Sequence, residues 1–224
     1  MEDGKVMIDI IYEDNHVLVV EKPVNILVQA DDTHDKDLLS ILKEDIKKRY
    51  QKPGNVYLGL VHRLDRPVGG IMVFAKTSKA ASRLSEQVRN HQIQKKYYAI
   101  VEGNLDKKQG TLRDYLKKNE KLNKVFIDRS GKESILNYLV VDSKENYSLV
   151  DIDLKTGRSH QIRVQFSSRN HPLYGDQKYN KNSKIGEQIA LYAYELSFYH
   201  PITKDKMTFN KKPSRTFPWS LFQI

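Results

Sequence analysis

The sequence predicts an α+β protein built on a largely antiparallel mixed sheet flanked by a few helices around a central basic cleft. Three observations lead there. Short segments rich in β-branched and aromatic residues recur from end to end. Only three stretches carry apolar residues at helical spacing. Strands and helices do not alternate regularly, as they would in a parallel sheet of crossover units.

Residues 6–12 and 17–20 read as two strands joined by a turn at Asp14-Asn15. Leu38, Ile41, Leu42 and Ile46 then follow a cap at Asp37 and mark a helix that Pro53-Gly54 closes. Residues 57–64 and 70–76 read as buried strands on either side of a loop bearing Asp65. A second helix spans residues 78–90, with Ala81, Leu84 and Val88 on one face. Residues 97–101 form a strand ended by Gly103. The lysine-rich stretch 106–124 reads as a hairpin excursion with a solvated, charged face. Residues 135–141 and 148–154 alternate as half-buried strands do. From Arg158 the pattern turns helical, pairing Ile162 with Phe166. Residues 192–199 and 206–209 supply two last strands. No repeat, low-complexity segment or linker divides the chain, so residues 1–224 are expected to form one domain.

Composition narrows the function. The 224 residues carry 38 Lys and Arg against 28 Asp and Glu, a formal charge of +10 that favours a polyanionic partner, nucleic acid first and an anionic membrane surface second. Apolar runs of five or six residues fall far short of the roughly 20 that span a bilayer. The start, Met1-Glu2-Asp3-Gly4-Lys5, lacks the cationic leader and apolar core of a secretory signal. With no cysteine there is no disulfide, thiol nucleophile or thiolate zinc site, and the cytoplasm is the expected location.

Two segments concentrate polar chemistry. His62-Arg63-Leu64-Asp65-Arg66 sets a carboxylate among cations, where it should keep its charge. Far downstream, Thr156-Gly157-Arg158-Ser159-His160-Gln161-Ile162-Arg163 is equally dense in polar groups. Asp65, on a loop between strands, is the candidate nucleophile or base. Arg163 lies on the helical face of Ser159, beside the inward seam of Ile162 and Phe166, and there it needs an anion. That anion is either a distant carboxylate or a structural acid such as Asp151 or Asp153. In Lys95-Lys96-Tyr97-Tyr98-Ala99 adjacent tyrosines face opposite ways, so one belongs to the core and the other points elsewhere. A site tyrosine could stack on a nucleobase. Scattered histidines at 62, 91, 160, 171 and 200 show no metal-ligand spacing, and Gly69-Gly70 is no phosphate loop, so neither a metal nor a nucleotide cofactor is expected.

In this order the segments resemble the RluA-type family of RNA pseudouridine synthases. The resemblance rests on Glu21-Lys22-Pro23, on His62-Arg63-Leu64-Asp65 running to Phe74-Ala75-Lys76-Thr77, and on residues 95–103. It continues in residues 156–163, His171-Pro172-Leu173-Tyr174-Gly175-Asp176 and residues 196–201. The resemblance implies a cofactor-free, metal-free isomerase that converts uridine to pseudouridine in structured transfer or ribosomal RNA, acting as a monomer. It makes Asp65 the catalytic residue, Tyr97 the aromatic that stacks on the target base and Arg163 the partner of the aspartate. His62, Arg63, Arg66, Lys95, Arg158 and His160 fall at motif positions near the substrate. Where many relatives carry Thr-Ser-Gly after Arg66, this chain has Pro67-Val68-Gly69, and Gln165 and Tyr192 stand where relatives often have histidine. A silent RNA-binding module on the same scaffold is the alternative, which an intact Asp65, Arg163 and Tyr97 disfavours. A sugar hydrolase would need a second acid, such as Asp176, at roughly 5–10 Å from Asp65.

Overall fold

The computed structural model describes residues 6–31 and 35–224. The first five residues, on which the absence of a leader was judged, lie outside them. The elements run β1 (Asp9–Glu13), β2 (Val17–Lys22), α1 (Leu38–Arg49), β3 (Gly59–Leu60), β4 (Gly69–Ala75) and α2 (Ser78–Arg89). Then come β5 (Gln94–Glu102), β6 (Gln109–Asn119), β7 (Lys124–Ile127), β8 (Lys132–Lys144) and β9 (Tyr147–Leu154). The last elements are α3 (Gln161–Ser167), β10 (Leu191–Tyr199), β11 (Lys206–Asn210) and a 3-10 turn at Trp219–Leu221. Strand pairings with a resolved register are antiparallel, as the α+β expectation requires.

The described residues fall into two compact units. The first comprises residues of Met1–Ile93 with Leu196–Lys211. In it β2 lies between β1 and β4, and β3 pairs with β4. All seven residues of β4 are buried, and so are Val17 to Val20. A strand covered on both faces has no polar side to show, so these segments read as continuous apolar runs. On one face Val17, Val19, Ile71 and Val73 pack against Ala80 and Leu84 of α2, with Leu196 and Phe198 closing the cluster. The helix starts where Thr77 accepts a hydrogen bond from the Ala80 N–H, and α1 starts where Asp37 accepts from Ser40. The Asp37 cap agrees with the sequence.

The second unit comprises Gln94–Glu195 with Lys212–Ile224. Its strands run β5-β9-β8-β6-β7. Ile100, Leu149, Ala190, Tyr192, Trp219 and Phe222 form one core cluster. A second, at the far end of the strand order, joins Leu116 and Val125 to Val164 of α3.

Several element boundaries differ from expectation. Strand β1 begins at Asp9, not at residue 6. Only Gly59 and Leu60 pair within residues 57–64, because the chain there must leave the sheet edge to form the Asp65 loop. Helix α3 begins at Gln161 rather than Arg158, since His160 sits in the left-handed region at φ 51° and no helix can pass through it. Ser159 therefore shares no helical face with Arg163.

Candidate active site

Asp65 sits in the first unit on the loop between β3 and β4, half-buried at the head of a turn whose Val68 N–H donates to the Asp65 carbonyl at 3.0 Å. That turn is fastened from below by Lys22. Its side chain is fully buried, and the ammonium donates to the carbonyls of Pro23 (2.9 Å), Arg66 (3.0 Å) and Val68 (2.8 Å). Three carbonyls take all three protons of one ammonium. Two of them follow Asp65 by one and three residues, so the lysine fixes the backbone that leads on from the carboxylate.

Burial pushes the Lys22 ammonium down from its ordinary 10.5 to about 7; the nearby Asp65 charge opposes this and Arg66 adds to it. The consequence for stability has a definite sign. Between pH 7 and 10.5 the unfolded chain holds the proton and the folded chain releases it. Stability credited to Lys22 is thus complete above the ordinary value and lost as pH falls through the folded one. Urea unfolding of wild type and Lys22→Met in parallel should show the difference moving in favour of wild type as pH rises from about 7 to 10. A difference that stays flat across that window means the ammonium is not desolvated as described.

The neighbours of Asp65 hold the loop in other ways. His62 accepts the Val73 N–H on Nε2 at 3.1 Å, which ties the loop to β4. Arg66 pairs with Asp35 at 2.7 Å and donates to the Asn25 carbonyl at 3.3 Å. Arg63 is exposed.

The second unit carries the other polar segment. Arg163, buried on α3, meets Asp176 in a two-pronged pair, Nε to Oδ2 at 2.8 Å and Nη2 to Oδ1 at 2.6 Å, with the Asp176 side chain fully buried. The structural acid is therefore Asp176. Asp151 instead accepts from the Tyr194 hydroxyl and Asp153 from Lys155. The Lys178 N–H also donates to Asp176, and Gly175 sets the turn that presents it. Gly175 adopts φ +69°, where a Cβ would collide with the Gln188 carbonyl.

Tyr179 joins this arrangement. Its ring lies under the Arg163 guanidinium at 5.2 Å, its hydroxyl accepts the Val125 N–H at 2.8 Å, and it meets His160 Nδ1 at 2.7 Å. The direction of the bond between that hydroxyl and His160 Nδ1 follows the imidazole tautomer. Gln161 closes the turn before α3: its side-chain oxygen accepts from the Thr156 hydroxyl (2.8 Å) and the Arg158 N–H (3.1 Å). The Arg158 side chain is exposed, with Nε reaching the Glu133 carbonyl at 3.3 Å.

Of the two tyrosines on β5, Tyr97 is the buried one, and Tyr98 stacks on Tyr194 with centroids 4.0 Å apart. Burial lowers the affinity of Lys95 for its proton, and its ammonium approaches Gly157, where a Cβ would meet it at 3.0 Å. The structure thus gathers Lys22, His62, Arg63, Asp65 and Arg66 around one loop. It separately gathers Arg158, His160, Arg163, Asp176 and Tyr179 around α3. Tyr179 and the clamping role of Lys22 were not legible in the sequence; the one signal for Lys22 was its place in Glu21-Lys22-Pro23.

Residues 16–168 match the family described as RNA pseudouridylate synthase. An uncharacterized RNA pseudouridine synthase of Aquifex aeolicus (strain VF5) is 35% identical over 223 residues, covering 94% of this chain and 71% of that protein. Ribosomal large subunit pseudouridine synthase D of Zymomonas mobilis subsp. mobilis (strain ATCC 31821 / ZM4 / CP4) is 33% identical over 223 residues, covering 93% of this chain and 70% of that protein. The solved structure of human RNA Pseudouridylate Synthase Domain Containing 4 superposes with a TM-score of 0.79 at 23% identity, covering 95% of this chain and 91% of that one. That likeness concerns the fold.

Proposed function

Because this chain belongs to the RNA pseudouridylate synthase family, we propose that it isomerises uridine to pseudouridine in structured RNA with Asp65 as its nucleophile. The observation that carries the assignment of Asp65 is the Lys22 clamp, which fixes the loop backbone immediately after the carboxylate, at Arg66 and Val68. A catalytic group needs such support, because placement errors near 1 Å can cost a hundredfold in rate.

In this reading Asp65 attacks the ribose C1′ or the uracil C6, the uracil detaches, turns and rejoins through C5. Tyr97 stacks on the base and helps remove the C5 proton. Arg163 pairs with the aspartate; its bond to Asp176 and its seat on the Tyr179 ring support this by leaving it one orientation. His62 and Arg66 hold the loop, while Arg63, Arg158, His160 and Lys95 meet the RNA. The target uridine must leave its stack, at a cost of a few kcal/mol that its pocket offsets. Contacts to flanking phosphates make binding weaken as salt rises. The enzyme works as a cytoplasmic monomer, a reading that rests on the absence of cysteine and on the family resemblance. Among the described residues no helix is long and apolar enough to cross a membrane.

The test offers unmodified large-subunit ribosomal RNA and bulk transfer RNA transcripts separately, followed by digestion to nucleosides and chromatography. Ribosomal RNA comes first, after the name of the Zymomonas relative. Pseudouridine should replace uridine one for one in one RNA class. Salt-sensitive binding without pseudouridine in either would identify a silent binding module instead.

A further inference from the structure

We propose that the outward face of the β6–β7 hairpin is a platform on which unpaired bases of the RNA stack, away from the base being isomerised. This rests on the reading of RNA as substrate and adds a second contact surface to it. The register sets Lys117 opposite Phe126 and Asn119 opposite Lys124. Directly opposed residues point to the same side, and so do residues two apart on one strand. One face therefore carries Tyr115, Lys117, Lys124 and Phe126. The other carries Leu116 and Val125, which are buried against Val164 and Tyr179.

The hairpin is thus held by its inner face and displays the outer one. There Tyr115 and Phe126 are 46% and 47% exposed. A hairpin could cover or omit such rings at no cost to its inner packing, and single exposed apolar residues are ordinary. Two aromatics interleaved with lysines on one sheet face are a different pattern, the one that takes up single-stranded nucleic acid by stacking and charge.

Charge selects the occupant. Residues 109–133 hold seven Lys and Arg against four acids. Each acid is already engaged: Asp114 with Arg169 and Gln165, Glu120 with Lys118, Asp128 with Ser130, and Glu133, opposite Tyr115, with Arg113. A protein partner would favour a face depleted of lysine. A polyanion with flat rings favours this one.

The test measures binding of a fluorescein-labelled, unstructured RNA oligonucleotide by anisotropy across a salt series. Replacing Tyr115 and Phe126 together by Ala should weaken binding about 10-fold or more while leaving the salt slope unchanged. Phe126→Trp should keep wild-type affinity. Lys117→Gln and Lys124→Gln should each reduce the slope by about one. Unchanged affinity in the double variant overturns the proposal, and so does a loss accompanied by a collapsed melting transition that Phe126→Trp shares. Binding needs no turnover, so a protein that binds in this way yet forms no pseudouridine loses the isomerase reading and keeps the platform. One that forms pseudouridine with wild-type affinity in the double variant does the reverse.

Discussion

Asp65→Asn is expected to lower pseudouridine formation by about 10⁴-fold or more, the scale on which losing a covalent nucleophile is felt. RNA affinity should hold or rise slightly. The substitution preserves shape and removes one negative charge from a surface that meets phosphates. The loop should also keep its conformation, because the Lys22 bonds go to the carbonyls of Pro23, Arg66 and Val68 and not to the carboxylate. Single-turnover conversion measured beside equilibrium binding separates the two effects. A variant that binds and still converts uridine at near wild-type rate would place the nucleophile elsewhere.

Asp176→Ala is expected to cost up to about 3–5 kcal/mol of folding stability, because it takes from the buried Arg163 guanidinium a carboxylate that holds it at two points. Side-chain exposures of 6% for Arg163 and 0% for Asp176 leave little room for water to replace the carboxylate. A loss of that size is a large share of the 5–15 kcal/mol typical of a folded domain. Urea unfolding gives the number directly. A cost below about 1 kcal/mol would mean that the pair behaves as a surface salt bridge. Asp176→Asn should fall between these limits, since the amide oxygen can still accept from Arg163 but carries no charge.

The parts of the fold that were legible in the sequence are those governed by neighbours in the chain. Strands β2 and β4 announced themselves as unbroken apolar runs because both faces are covered. Helix α1 announced itself by Asp37, whose cap acts over three residues, and α2 by the spacing of Ala81, Leu84 and Val88. The alternating strands β8 and β9 emerged for the same reason, whereas the excursion expected over residues 106–124 contains β6 and stops where β7 begins.

What escaped depends on residues far apart. Arg163 was seen to need an acid, yet Asp176 reaches it only after the chain has turned back at Gly175. Lys22 grips carbonyls 44 and 46 positions away, which no pattern of side chains records. Tyr179 touches His160, Arg163 and Val125 from three elements at once. The start of α3 was misplaced because six successive buried residues, Gln161 to Phe166, erase the amphipathic signal. The left-handed turn at His160 leaves no mark of its own.

The central claim, that Asp65 drives exchange of the bond at C5 of uridine, is tested most directly by tritium release from RNA labelled at that carbon. Wild-type protein should release tritium in step with the pseudouridine formed, and Asp65→Asn should release none while still binding the RNA. Release that persists in the variant, or pseudouridine formed without release, would contradict the account.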